Sequence, residues 1–261
     1  MQKKPGKMIR RPDYTPTSVD NALRLLQILR DTGTLRLTDA AAEIGVAPST
    51  AHRLLSALVY RGFAVQDADR QYRPGPAIGA PAVDSGQDRD FVSLCRPFLE
   101  HLCAEAGETV NLMVLVEKQA RFLWTVEAPA LLRVGDRRGQ VLPAEQTAGG
   151  LALLAELSAD DVDRRFPLDA EPREALHDEL RAVRRVGFAV NVERTERGVS
   201  AAAMAVHDRD GTAVAAVAVA MPSTRYPERV RDDLVTHIRH TVRDIEAKLQ
   251  STDLSHHPFS I

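Results

Sequence analysis

The alternation of apolar and polar positions predicts three helices and a hairpin in the first part of the chain. Residues 18–31, 38–44 and 48–61 repeat apolar side chains at helical spacing. Residues 63–75 alternate as two short strands around a polar turn. The predicted helix stops are Gly33, Gly45 and Gly62, and the predicted caps are Thr17 or Ser18 for the first helix and Thr38 for the second. This order of elements is typical of a winged helix-turn-helix.

Two of the predicted helices have an apolar face that can be assigned residue by residue. In the first helix, the face expected to be buried comprises Val19, Ala22, Leu23, Leu26 and Leu29. In the third helix, it comprises Ala51, Leu54, Leu55 and Leu58. The third helix therefore has polar side chains left over on its opening turns.

The rest of the chain predicts a second, α+β domain. Residues 76–89 are rich in Pro, Gly and Ala, which is the composition of a linker. Strands in the middle of the domain, with helices on either side, favour a mainly antiparallel sheet. Strands are predicted at 109–117, 120–128, 131–136, 198–208 and 212–221, and helices at 90–106, 147–157, 172–186 and 228–249. The expected organisation is an arm (1–16), a winged domain (17–75), a linker (76–89), a sensor-like α+β domain (90–250) and a tail (251–261).

Composition restricts the class of protein. The chain has 261 residues, 44% of them apolar and 27% charged, as in a soluble globular protein. Since no apolar run approaches the roughly 18 residues needed to span a bilayer, and no secretory signal is present, we expect a cytoplasmic protein without membrane contact. Cys95 and Cys103 lie on one predicted helix, about 12 Å apart, which is too far for a disulfide. Both are expected to be free.

Charge is divided unevenly along the chain. Residues 1–75 contain 12 Lys and Arg against 7 Asp and Glu, whereas the remainder carries a net charge of −7. The basic residues of the arm are Lys3, Lys4, Lys7, Arg10 and Arg11. The asymmetry suggests an anionic partner for the first domain alone, although chance unevenness of surface charge remains the alternative.

The opening turns of the third helix suggest what that partner is. Ser49, Thr50, His52 and Arg53 are polar or charged there, and short hydrogen-bonding side chains followed by an arginine suit base edges in the major groove of DNA. Three alternatives stay open: Ser49 as a simple N-cap, His52 packed on its own helix, and Arg53 as a solvated surface charge. In the predicted wing, the candidates for contact with flanking phosphates are Arg70, Gln71 and Arg73.

Several of these segments resemble the IclR family of bacterial transcriptional regulators. The likeness runs over about residues 17–245 and is carried in order by SVDNALRLLQIL, GVAPSTAHRLLSALVYRGF, QYRPGP, ETVNLMVLV, LRVGDRRGQVLPAEQTAGG and GFAVNVERTERGV. The resemblance implies a winged helix, a linker helix and a C-terminal GAF-like domain that binds a small effector. It also implies a homodimer or homotetramer on a palindromic double-stranded operator. We expect a repressor, with no cofactor and no metal.

The sequence departs from that family in its linker and in its effector pocket. The prolines and glycines after the wing make a regular linker helix doubtful, and Leu151 stands where a lysine is common. By alignment of motifs, Asn191 replaces an acidic residue, and alanines replace a cysteine and two serines. The expected lining is Leu131, Leu142, Thr147, Ala148, Gly149, Asn191, Val199, Ala201, Ala218 and Ala220. Since a pocket with few hydroxyls pairs a compact carboxylate poorly, we expect an aromatic or acyl effector rather than a small oxo-acid. The alternative is that the alignment is off by one residue and that other positions supply the hydroxyls.

An enzymatic second domain is the alternative function. The stretch GVSAA at 198–202 loosely resembles a nucleophile elbow, but a strand is predicted after it where that turn needs a helix. His237 and His240 are three residues apart on the last helix and could bind a metal together with His256 and His257. Without a cysteine or carboxylate at metal-ligand spacing, these histidines are better explained as a solvated helix face and tail.

Overall fold

The computed structural model describes residues 14–79, 87–226 and 228–252. The chain divides into two units between Gly79 and Ala80. Residues 1–13 of the expected arm, 80–86 of the expected linker and 253–261 of the expected tail, including His256 and His257, lie outside the described residues.

The N-terminal unit has the predicted winged helix-turn-helix. Its elements are α1 (Thr17–Thr32), α2 (Leu37–Ile44), α3 (Pro48–Tyr60), β1 (Ala64–Gln66), β2 (Tyr72–Pro74) and the short α4 (Pro76–Gly79). The strands β1 and β2 pair antiparallel. Gly33 and Gly45 end α1 and α2 with left-handed backbone angles, as predicted for helix stops. The core is formed where α1, α2 and α3 meet around Leu25, Leu29 and Leu55.

The predicted buried face of α1 is only partly correct: Leu29 is buried and Leu26 packs against the core as predicted, but two other predicted positions are exposed. Val19 and Leu23 are 51% and 55% exposed, and the buried positions are Asn21, Leu25 and Leu29. Apolar residues cover a wide arc of this helix, so periodicity alone does not identify the third of the circumference that packs on α3.

The predicted N-terminal caps are also wrong. Pro16 and Arg36 are the N-cap residues of α1 and α2, and neither provides a side-chain cap. Thr17, Ser18 and Thr38 therefore lie within the first turns of the helices.

The described part of the C-terminal unit contains one six-stranded antiparallel sheet, in agreement with the predicted fold class. The strand order is β5-β4-β3-β8-β7-β6. The strands are β3 (Thr109–Val116), β4 (Gln119–Val126), β5 (Val141–Pro143), β6 (Ala189–Val192), β7 (Val199–His207) and β8 (Ala213–Pro222). The helices are α5 (Gln87–Ala106), α6 (Ala148–Leu154), α7 (Ala159–Arg165), α8 (Ala170–Val186) and α9 (Glu228–Gln250). Cys95 and Cys103 are free and buried on α5, as predicted.

The two faces of this sheet pack against different helices. On one face, α5 and α9 cover Val217, Val219 and Met221 of β8. On the other face, α6 and α8 lie over the alanines at alternate positions of β7 and β8, such as Ala203 and Ala218. Because successive side chains of a strand point to opposite faces, one strand supplies both layers.

The strand predicted at residues 131–136 is wrong. These residues belong to the loop between β4 and β5, where two carbonyls are bound by side chains instead of by a neighbouring strand. Thr109 Oγ1 donates to Val134 O at 2.6 Å, and Arg225 Nη2 donates to Leu132 O at 3.0 Å. The short edge strands β5 and β6 were not predicted.

Candidate nucleic-acid interface and effector cavity

The α3 helix presents the four candidate side chains to solvent. Ser49, Thr50, His52 and Arg53 are exposed, whereas Ala51, Leu55 and Leu58 on the opposite face are buried. The N-cap residue is Ala47 and makes no side-chain cap, so the interpretation of Ser49 as the cap is wrong. The remaining candidate role for Ser49 is contact with a partner.

In the residues that the structure describes, the fold makes no use of these four polar side chains. Within the part of the chain that the structure describes, none of them makes a hydrogen bond or an ion pair to another residue. Their donors and acceptors on the first two turns of α3 therefore remain open to an external ligand.

The wing, residues 63–75, is held close to the end of α3. Gly75 N donates to Phe63 O at 2.9 Å. A Cβ at Gly75 would lie 2.3 Å from the carbonyl oxygen of Gly62, so only glycine allows this approach of the two backbones. The tight contact fixes where the wing begins relative to α3.

The three candidate residues of the wing differ in whether they are bonded to the Asp67 carboxylate. Arg70 is exposed at a left-handed turn position, with φ 59°. Arg73 is exposed but its Nε donates to Asp67 Oδ2 at 2.8 Å, and the backbone N of Gln71 donates to Asp67 Oδ1 at 2.9 Å. The bond from Arg73, followed by the bond from Gln71, lowers the pKa of the Asp67 carboxyl. A phosphate would have to compete with Asp67 for Arg73.

The C-terminal unit has a cavity between its sheet and α6. Nine of the ten positions expected from the sequence line it, and five further residues complete the wall. The lining is Asn111, Met113, Phe122, Arg137, Leu142, Thr147, Ala148, Gly149, Asn191, Thr195, Val199, Ala201, Ala218 and Ala220. Leu131, the tenth expected position, is absent from this wall and is 99% exposed on the loop that follows β4.

Two polar residues of the expected lining, Asn191 and Thr147, are largely engaged by the fold. Asn191 Nδ2 donates to Gln146 O at 2.9 Å and to Thr195 Oγ1 at 3.2 Å, and Asn191 Oδ1 accepts from Arg194 N at 2.9 Å. Thr147 Oγ1 caps α6 by accepting from Gly150 N at 2.9 Å. Both side chains shape the cavity wall more than they offer free polar groups to a ligand.

A buried arginine in the wall was missed by the sequence analysis. The Arg137 side chain is 11% exposed, and its Nη2 lies 2.5 Å from Glu196 Oε2. Its Nη1 donates to Gln140 Oε1 at 3.4 Å. The quoted segment LRVGDRRG contains the residue, but the adjacent Arg138 is much more exposed, and no pattern distinguishes the two. Arg137 changes the expected chemistry of the cavity, because it adds a cation to walls that are otherwise uncharged.

The empty space in this cavity is small. Its volume is about 30 Å³, which is room for about two water molecules. Met113 fills part of the space beside Gly149: a Cβ at Gly149 would lie 2.5 Å from the Met113 sulfur. An effector the size of a benzene ring needs roughly 150 Å³, so side chains such as the unbranched Met113 must move to admit it.

The features considered for an enzyme are used structurally. Ser200 lies on β7, is buried, and its Oγ is 2.9 Å from Ser223 Oγ. A strand, not a helix, continues from this position. Among residues 14–79, 87–226 and 228–252, no three His, Cys, Asp or Glu side chains are grouped so that they could hold a metal ion. In the same residues, no helix is both long and apolar enough to cross a membrane.

Both units match family models. Residues 18–68 match the IclR helix-turn-helix domain, and residues 85–247 match the bacterial transcriptional regulator IclR C-terminal domain. The acetate operon repressor of Salmonella typhimurium is 30% identical over 257 residues, covering 90% of this chain and 91% of the relative. The transcriptional repressor IclR of Escherichia coli is 30% identical over 235 residues, covering 84% and 83%.

Solved structures agree with this assignment. A transcriptional regulator from a Rhodococcus species aligns with a TM-score of 0.59 at 25% identity, covering 91% of this chain and 99% of that one. An IclR homologue from Microbacterium hydrocarbonoxydans, solved with 4-hydroxybenzoate, aligns with a TM-score of 0.59 at 20% identity, covering 90% and 100%. At that identity the second structure supports the fold alone. The chain belongs to the IclR family of bacterial transcriptional regulators.

Proposed function

We propose that this protein is a repressor that binds a palindromic operator as a homodimer or homotetramer, and that an aromatic or acyl effector in the cavity alters that binding. The observation that carries the first part is the row of four exposed side chains on the first two turns of α3, which have no partner among the residues that the structure describes. The relatives named above are repressors of the same domain organisation. Two copies of α3 would read half-sites separated by one helical turn of DNA, about 34 Å, or a multiple of it.

Among the residues of α3, Arg53 is expected to show the largest loss of operator affinity when it is substituted. If its guanidinium binds a guanine edge, Arg53→Ala should weaken operator binding by about 1–3 kcal/mol and relax specificity at one base pair. Gel-shift titration at fixed salt, with the chain's own upstream region as the probe and random DNA as the competitor, measures both effects.

Arg61→Ala is the matched control for Arg53→Ala. Arg61 follows the other end of α3, is exposed, and stacks on Tyr60 at 5.4 Å from the ring centre. The Arg61→Ala substitution removes one positive charge from the same unit and leaves the first two turns of α3 unchanged. Equal losses in the two variants would mean that Arg53 acts only through charge. An unchanged affinity for Arg53→Ala would remove it from the interface.

The walls of the cavity support an effector with an apolar body. Met113, Phe122, Leu142 and Val199 line it together with four alanines and one glycine of β7, β8 and α6. Calorimetric titration of the full chain should therefore detect benzoate or hexanoate more readily than glyoxylate or pyruvate. Tight binding of glyoxylate or pyruvate, with no heat from the larger acids, would refute this part of the proposal. The operator titration is independent of that result.

A further inference from the structure

Arg137 is a buried cation whose charged partner stands at a more exposed position. The Arg137 side chain is 11% exposed and the Glu196 side chain is 48% exposed, although their Nη2 and Oε2 atoms are 2.5 Å apart. A guanidinium taken out of water is stable only if it is paired with a negative charge and hydrogen-bonded. In the described residues, that charge comes from Glu196, on the turn between β6 and β7.

The loop that carries Arg137 is held firmly. The backbone N of Arg137 donates to Thr125 Oγ1 at 3.2 Å, and the same hydroxyl donates to Asn111 Oδ1 at 2.9 Å. Immediately after Arg137, Gly139 N donates to Phe122 O at 2.8 Å, and Phe122 N donates to Gln140 O at 3.0 Å. The backbone of the loop that carries Arg137 is therefore tied to β4. The Glu196 side chain, by contrast, is about half exposed on its turn.

We infer that Arg137 binds the carboxylate of the effector, and that Glu196 occupies this carboxylate position until the effector displaces it. The inference rests on the proposed function, since it takes the cavity as the effector site. A carboxylate can replace another carboxylate on a guanidinium, and the bond to be exchanged here is the single one from Arg137 Nη2 to Glu196 Oε2. The neighbouring wall, formed by Met113, Phe122 and Leu142, then contacts the apolar body. The ligand class is an aromatic or acyl carboxylate rather than a neutral compound.

Two variants of the pair have opposite expected effects, which makes the inference testable. The probes are benzoate and its uncharged analogue benzamide, titrated calorimetrically into the full chain. Arg137→Gln should lower the affinity for benzoate by about tenfold to a hundredfold, the range of one charged hydrogen bond, with little change for benzamide. Glu196→Gln should raise the affinity for benzoate several-fold, because the competing carboxylate has gone, and should leave benzamide unaffected.

Arg138→Gln is the matched control, because Arg138 is the adjacent arginine but stacks on Trp124 at 4.9 Å from the ring centre and does not line the cavity. Its benzoate affinity should equal that of the wild type. If Arg137→Gln does not fold, the inference is tested by whether Glu196→Gln raises or lowers the affinity for benzoate.

Three results overturn the inference. If the wild type binds benzoate and benzamide with equal affinity, Arg137 does not bind the carboxylate, although the cavity can still be the effector site. If Glu196→Gln binds benzoate as tightly as the wild type or less tightly, the effector does not displace Glu196 from Arg137. If neither probe binds to a protein that still retards its operator, both the inference and the proposed effector class fail, while DNA binding stands.

Discussion

Replacing Gly150 with alanine is expected to destabilise the C-terminal unit by about 3 kcal/mol or more, the upper end of the cost of overpacking. A Cβ at Gly150 would lie 2.2 Å from the carbonyl oxygen of Ala144 and 2.6 Å from Thr147 Oγ1. The first of these atoms belongs to the backbone before α6 and cannot move without shifting the cavity wall. The preference of helices for alanine over glycine, about 1 kcal/mol, offsets only part of this cost.

Gly149→Ala is the matched control for Gly150→Ala, because the two glycines are neighbours in the same helix. A Cβ at Gly149 meets the sulfur of Met113, a flexible side chain, so its loss of stability should be about 1 kcal/mol or less. Urea unfolding followed by tryptophan fluorescence measures both variants. Trp124 is the only tryptophan in the sequence and lies on β4, so the signal reports the C-terminal unit. Equal destabilisation of the two variants would contradict the steric explanation.

Removing residues 1–12 is expected to flatten the salt dependence of operator binding. The described N-terminal unit is close to neutral, with seven Arg against six Asp and Glu in residues 14–79, whereas the arm carries five Lys and Arg. If all five neutralise phosphates, the slope of log K against log salt should fall by about 4 to 5 per protomer. Titrations at several salt concentrations measure this slope.

A second variant distinguishes the effect of the arm's charge on the salt dependence from the effect of its length. Replacing Lys3, Lys4, Lys7, Arg10 and Arg11 with glutamine keeps the length and removes the charge. This variant should lose as much of the slope as the deletion does. If the slope is unaltered in both, the arm makes no ionic contact with DNA, and the attraction must come from α3 and the wing.

The sequence predicted α3 from apolar residues at helical spacing on one face. It predicted the winged hairpin and the pair β7 and β8 from two strand-like runs on either side of a polar turn. The buried face of α1 could not be chosen, since apolar residues cover too much of that helix. Residues 131–136 contain Leu131, Leu132 and Val134 at strand-like spacing, but side chains of distant residues bind their carbonyls. That contact is invisible in the local pattern.

The cavity was predicted in part, for a similar reason. Positions on β7, β8 and α6 were located by alignment of motifs, because regular elements keep their spacing between relatives. Asn111, Met113 and Phe122 were missed because β3 is buried on both faces and gives no alternation, and β4 gives only a weak one. Arg137 was missed because it depends on the path of an irregular loop.

Alternate side chains of β7 and β8 have two different roles, since one set packs against helices and the other lines the cavity. At 217, 219 and 221 the side chains hold α5 and α9, while at 201, 218 and 220 they bound the cavity. Ligand preference can therefore drift during evolution by exchange at every second position, with the helical layer behind the sheet left intact. A family built on this plan can acquire new inducers without first losing its scaffold.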